Sequence, residues 1–155
     1  MKKFLGFFAA AMLGLAACEG PMGPPGRDGR DAESMQWHVE DFDVLTTQWR
    51  ERTEEGDGYF FYYFEHEIRL PELTEFVFNN GFVGAYLVME IVRDGRRQLV
   101  QRPLPYTIYG MDGDIPYSEN YSFETRPGWI RFIVKYSDFS EMKPLTCTFL
   151  VVMMW

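Results

Sequence analysis

Phe82-Val83-Gly84-Ala85-Tyr86-Leu87-Val88-Met89-Glu90-Ile91-Val92-Arg93-Asp94-Gly95 is the stretch that decides the fold of this chain. Val83, Ala85, Leu87, Met89 and Ile91 alternate onto one face, the period of two that an extended strand imposes on its side chains. Asp94-Gly95 follows at once. A two-residue type I′ turn needs positive φ at both central residues, and this dipeptide tolerates it. Gln98 to Arg102 therefore returns antiparallel to the first strand. Pro103 and Pro105, which cannot donate to a ladder, end the pairing or set it at a sheet edge.

The same texture runs outward in both directions. Gln36 to Val44 reads as a strand that Leu45 to Glu51 continues, and Glu54-Glu55-Gly56-Asp57-Gly58 supplies a turn. In Tyr59 to Ile68, Phe60, Tyr62, Phe64, His66 and Ile68 share one face, while Phe61, Tyr63, Glu65 and Glu67 share the other. Leu70-Pro71 breaks that strand, and Thr74 to Asn80 makes a short helical turn closed by Gly81 in a left-handed conformation. Downstream, Tyr106 to Tyr109, Tyr117 to Thr125, Trp129 to Tyr136 and Thr146 to Trp155 are strands. The last has no polar residue after Thr148, so it is either central in a sheet or paired outside the monomer. No longer helical period appears. Seven or eight short strands at this spacing predict an all-β fold, an antiparallel β-sandwich of immunoglobulin-like type, over residues 35–155.

Before this domain the chain changes character. Lys2 and Lys3 precede fourteen residues, Phe4 to Ala17, without a charge, the plan of a secretory leader over residues 1–17. The segment is short of the roughly 20 apolar residues that span a bilayer. Leu15-Ala16-Ala17-Cys18 resembles the lipobox of bacterial lipoproteins, in which the cysteine is lipidated and becomes the first mature residue. Gly20 to Asp31 then forms four Gly-X-Y triplets. With Pro25 alone in a Y position they read as an extended, disordered tether over residues 18–34 rather than a self-standing triple helix. At about 3.1 Å per residue, twelve residues reach roughly 37 Å.

Removal of residues 1–17 takes two lysines and no acid, so thirteen basic residues face twenty-three acidic ones, a net charge of −10. That balance argues against nucleic acid and against electrostatic docking on anionic lipid, both of which require Lys and Arg to neutralise phosphate. With Cys18 committed to lipid, only Cys147 remains, so no intramolecular disulfide is available. Packing must hold the domain, and an aromatic content of 17% offers large buried areas. Cys147, between Thr146 and Thr148, reads as a packed core thiol rather than a nucleophile.

Taken together, several features resemble the cell-envelope lipoproteins of Bacteroidota-type bacteria that carry no assigned activity. They are the lipobox, the triplets, Asn80-Gly81 leading to Ala85-Tyr86-Leu87, Leu104-Pro105-Tyr106, the strand from Trp129 to Tyr136 with Ser137-Asp138-Phe139, and the apolar terminus. The resemblance implies a β-sandwich on a lipid tether, at the outer membrane, and assigns no catalytic residue.

The residues themselves carry little chemistry. Glu65 and Glu67 flank His66 but point away from it on a strand, and His38 lies near Glu40, Asp41 and Asp43. Neither reads as a metal site. Asp112-Gly113-Asp114 lacks the further oxygen ligands of a calcium loop and reads as a solvated turn. No hydrolase elbow or phosphate loop is present, so no catalytic, cofactor or metal residue is expected, and the one attached group is the lipid on Cys18. Trp37, Trp49, Tyr59, Tyr106, Tyr109, Tyr117 and Tyr121 are candidates for an exposed aromatic platform. These features predict a non-enzymatic binding or adhesion module with a glycan or protein ligand. A surface-assembly subunit is the alternative, and a glycan-active enzyme the weakest reading. The expected partner of the anchor is the membrane, with the oligomeric state open.

Cys18→Ala tests the anchor directly. It should leave an uncleaved or soluble exported form, and mass spectrometry of the wild-type mature protein should find acyl chains on Cys18. An unmodified cysteine, or a mature chain starting elsewhere, contradicts the lipoprotein reading.

Overall fold

A computed structural model describes residues 35–56 and 59–155; the leader, Cys18, the Gly-X-Y run and Asp57-Gly58 lie outside the described residues. Nine strands form among the described residues: β1 Trp37–Val44, β2 Arg50–Gly56, β3 Tyr59–Arg69, β4 Phe82–Arg93, β5 Arg96–Pro103, β6 Tyr106–Asp112, β7 Ile115–Arg126, β8 Trp129–Tyr136 and β9 Cys147–Met154. A single helix, α1 Glu75–Asn80, precedes β4. Every ladder is antiparallel. One sheet runs β1-β9-β4-β5 and the other β2-β3-β8-β7-β6. The two-layer antiparallel sandwich predicted from the sequence is the fold. Its strand order is its own: an immunoglobulin constant domain sets ABED against CFG, whereas here the first strand pairs with the last.

The hairpin that decided the sequence reading forms as written. Arg93 pairs with Arg96 across Asp94 (φ 53°) and Gly95 (φ 73°). Pro103 closes β5 at the sheet edge, opposite Tyr86. Asp112-Gly113-Asp114 is likewise a hairpin turn, with Gly113 at φ 58° joining β6 to β7.

The apolar terminal stretch takes an interior place, with Val151 paired to Glu40 of β1 on one side and to Ala85 of β4 on the other. Its inward residues Phe149, Val151 and Met153 are fully buried against Ala85, Leu87, Phe64, Phe132 and Val134. Phe149 of one sheet stacks on Phe132 of the other, ring centroids 4.0 Å apart and planes within 10°.

Two local expectations differ from the structure. The first strand does not continue through Leu45 to Glu51. It stops at Val44, and a 3-10 turn, Thr46–Gln48, carries the chain to the other sheet. Gln48 folds back to hold this break, its side-chain oxygen accepting from the Leu45 N–H at 2.7 Å. The crossing buries Trp49, which is 1% exposed and packs edge-on to Phe149 and His66. A side chain of that size gains more in the core than a longer ladder would give.

Gly81, expected in a left-handed conformation, is extended, with φ −97° and ψ −174°. Its N–H still caps α1 by donating to the Val77 carbonyl at 2.8 Å. The requirement for glycine is spatial. A Cβ there would sit 2.7 Å from both the Met154 and Val77 carbonyl oxygens, where β4 starts beside β9.

Gly81→Ala should therefore lower stability by about 1 to 3 kcal/mol, the usual range for inserting an atom into packed structure. Gly56→Ala, whose Cβ would meet nothing within 4 Å, should stay within about 0.5 kcal/mol. Equal urea midpoints for the two variants would contradict the close approach of β9 to Gly81.

Candidate binding surfaces

The outer face of the five-stranded sheet carries most of the ion pairs of the described residues. Alternation along β3 puts Phe64 and His66 inward and Tyr63, Glu65 and Glu67 outward, as the sequence indicated. Glu65, buried, is gripped by Arg52 at 2.7 Å and Arg131 at 3.4 Å. Glu67 accepts from Arg126 at 3.0 Å and Arg131 at 3.2 Å. Burial alone would raise its carboxyl, but these two guanidinium bonds outweigh it and hold the group below the ordinary carboxylate range. Arg126 also lies 4.7 Å over the Trp129 ring, and Lys135 sits over Phe61 and Tyr63. The carboxylates that flank His66 in sequence are thus neutralised by Arg52, thirteen residues before Glu65, and by Arg126 and Arg131, about sixty residues on. They lie on the outer face of the sheet, Glu65 beneath its arginines, while the imidazole is on the inner face, 3.2 Å from the Gln48 carbonyl.

His38 behaves differently. Glu40, two residues on and on the same face of β1, approaches its Nε2 at 3.2 Å, while Asp41 and Asp43 belong to the opposite side. Glu72, from the turn after β3, completes a group whose ligand atoms all lie within 4.8 Å of one another. Imidazole and two carboxylates are donors suited to zinc in kind. Both carboxylates are solvent-exposed, an arrangement common on acidic surfaces without an ion. Sequence spacing had no means of finding Glu72, because the turn that carries it reaches His38 only through the fold.

The aromatic residues singled out from the sequence do not share one platform. Trp49 and Tyr121 are core residues, Tyr106 packs against the core under the Arg102 guanidinium, and Tyr109 is 83% exposed on β6. Trp37 stands on the outer face of the other sheet, and the Tyr59 side chain lies outside the described residues. Tyr117 and Tyr121 instead meet a residue outside that set, Tyr136, in a cleft of about 430 Å³. The cleft lies between β6, β7 and the segment 137–146 that joins β8 to β9.

Its construction follows from the chain. The Tyr117 ring lies across Gly110, where a Cβ would come within 2.5 Å of it, so glycine keeps the rim open for the ring. The segment opposite is shaped by short local bonds, Ser118 N–H to Ser137 Oγ at 2.8 Å and Ser140 N–H to Asp138 Oδ1 at 3.2 Å. The fully buried Pro144 pins it. Within the cleft the Tyr121 hydroxyl donates to Glu119 at 2.6 Å. Exposed Met111, Met142 and Leu145 line the mouth. A larger hollow of about 540 Å³ lies at Thr47–Glu51 with His66 and Lys143, but its one aromatic wall is the buried Trp49.

Cys147 sits behind this cleft, donating to the Leu145 carbonyl at 3.2 Å. Burial, then the charge of Glu119, pushes its thiol up to about 11. At neutral pH it is a protonated thiol, and the thiolate is the nucleophilic form. Burial likewise raises Tyr121, which also donates to Glu119, and Tyr136, which faces the Glu119 charge.

The remaining surface is the outer face of the four-stranded sheet. Leu150 and Val152 of β9 and Tyr86 and Val88 of β4 are only half-buried there, and Trp37, Val39, Phe82 and Met154 are exposed beside them. No helix of the described residues is long and apolar enough to cross a membrane. Comparison with protein-family models, with curated proteins and with solved structures finds no match to this chain.

The thiol sets a pH dependence. The unfolded chain releases the proton near the ordinary value of 9.0, the folded chain near 11, so stability falls as pH rises through that window. Cys147→Ala should make the decline from pH 9 to 11 shallower, read as urea midpoints, with Tyr121 and Tyr136 supplying the slope that remains at the upper end. An unchanged profile would contradict the burial of the thiol.

Proposed function

We propose that this chain is a non-enzymatic binding module, held at the outer membrane by lipid on Cys18, and that its ligand seats in the tyrosine cleft. The observation that carries the reading is the cleft itself. Its size, about 430 Å³, falls among the clefts that enclose small ligands, roughly 300 to 1,000 Å³. Tyrosine rings stand beside Glu119 and Asp138, and methionines line the mouth. Aromatic faces take the apolar side of a sugar ring and carboxylates accept from its hydroxyls, so a glycan is the first ligand class. A protein segment, for which mobile methionine side chains re-pack readily, is the second. The lining residues include no histidine, and the nearby thiol is held protonated, which supports binding rather than turnover. The alternative, a subunit of a surface assembly, is favoured by one separate observation, the apolar outer face of the four-stranded sheet.

The test is a panel of envelope and host glycans, with peptides as a second arm, titrated against the mature chain carrying Cys18→Ala. Binding should perturb the resonances of Tyr117, Tyr136 and residues 137–146. Tyr117→Ala should weaken it about tenfold, since a ring contact is worth about 0.5 to 1.5 kcal/mol. Perturbations confined to Trp37 and Phe82, or product release from a glycan, would overturn the reading.

A further inference from the structure

β1 is an edge strand, and its inner side changes character along its length. Val44 is buried and Phe42 packs against the core, but the same side continues as Glu40 and His38, level with Val151 and Met153 of β9, both fully buried. Polar side chains thus stand at the rim of the core, where the alternation of the strand would otherwise set apolar ones. The turn after β3, a strand of the other sheet, brings Glu72 to the same rim. The ligand atoms of His38, Glu40 and Glu72 all lie within 4.8 Å of one another.

We propose that His38, Glu40 and Glu72 bind one zinc ion, which bridges the two sheets at this rim. The proposal rests on this group alone and not on the tyrosine cleft. The donor set is the first reason. An imidazole with two carboxylates suits zinc, and three protein ligands leave the fourth tetrahedral position to water. The imidazole also distinguishes the group from a patch of surface acids, whose oxygen-only ligands suit calcium or magnesium. Spacing is the second reason. Donors about 2.1 Å from a tetrahedral zinc stand about 3.4 Å apart, and His38 Nε2 and Glu40 Oε2 are already 3.2 Å apart. Zinc replaces the hydrogen bond between them. Only the exposed side chain of Glu72 has to close in.

Charge is the third reason. Glu65, Glu67, Glu90 and Glu124 each pair with an arginine. Among the ion pairs of the described residues, by contrast, Glu40 has His38 alone and Glu72 has none. Two carboxylates that converge without a lysine or arginine between them repel each other, and a divalent cation relieves the repulsion. The backbone beneath is fixed. Leu70 N–H donates to the Gly128 carbonyl at 2.8 Å, Gly128 N–H to the Leu73 carbonyl at 2.7 Å and Thr74 N–H to the Glu72 carbonyl at 2.9 Å. Leu70 and Leu73 are fully buried, so Glu72 is carried on a pinned turn, while the β1–β9 ladder holds the other two ligands. Ligands on rigid elements are the ones held in productive geometry.

The experiment is calorimetric titration of zinc chloride into the mature chain with Cys18→Ala. One ion should bind per chain, the His38 ring resonances should shift, and the urea midpoint should rise, because an ion that binds the folded chain stabilises it. Calcium and magnesium chloride should do none of these. His38→Ala and Glu72→Gln should each weaken zinc binding about tenfold or more and abolish the rise in midpoint. Cooperative urea transitions of both variants without zinc show that they fold. Asp112→Asn with Asp114→Asn, acids of the β6–β7 turn, should leave binding unchanged. Four results overturn the proposal: no zinc bound, calcium bound as tightly as zinc, zinc binding that survives His38→Ala, or bound zinc with an unchanged urea midpoint. Tyr117→Ala leaves zinc binding intact, so failure of this proposal and failure of the cleft are read independently.

Discussion

The stack of Phe132 on Phe149 is the contact on which the sandwich depends. Each ring comes from an interior strand, β8 in one sheet and β9 in the other, and at 4.0 Å between centroids the two sheets are drawn to van der Waals contact at their centres. Burying such side chains contributes about 1.5 to 3 kcal/mol each, and an aromatic pair about 0.5 to 1.5 more. Trp49 leans on the same Phe149 from the side. That is why the chain leaves the first sheet at Leu45, since only a crossing there brings the indole to the stack. Cys147 is a free thiol, so packing of this kind, rather than a cross-link, joins the layers over the described residues.

Much of this architecture is legible along the chain because its cause is local. A period of two is a property of each strand, and Asp94-Gly95 supplies its own turn geometry. The inward His66 with outward Glu65 and Glu67 follows from the pleat alone. What escapes is whatever depends on which strands become neighbours. Leu45 to Glu51 is compatible with continuing the strand, and only the location of the Phe149 ring makes breaking it favourable. Gly81 looks like a helix cap, and it is one, but glycine is required there because β9 passes beside it, a fact 73 positions away in the chain.

The same divide runs through the candidate surfaces. Of the seven aromatic residues drawn from the sequence, the six whose side chains are described are dispersed by strand parity and sheet order between core, edge and two separate faces. The cleft is made instead by Tyr117, Tyr121 and Tyr136, brought together by the β7–β8 ladder and closed by the connection to β9. Glu72 joins His38 and Glu40 by a comparable accident of topology. Arg131 illustrates the converse. It reads as one more charge on a strand, yet in the fold it sits among Glu65, Glu67 and Glu124 and removes three carboxylates from the stock of free acids. An acidic chain therefore has fewer available carboxylates than its composition suggests.

The terminal strand joins the two halves of the argument. Its inner residues are needed for the core, and that need places no demand on Leu150 or Val152, whose positions a sheet open to water fills with polar side chains. Packing within the core does not account for their apolar character. A stretch so apolar invites uncontrolled pairing when it forms an edge, and β9 is kept from that by β1 and β4, which pair with it on either side. The strongest contacts of the fold lie in the aromatic stack between the two sheets, while the outer side of β9 is left half-buried beside exposed Trp37 and Phe82.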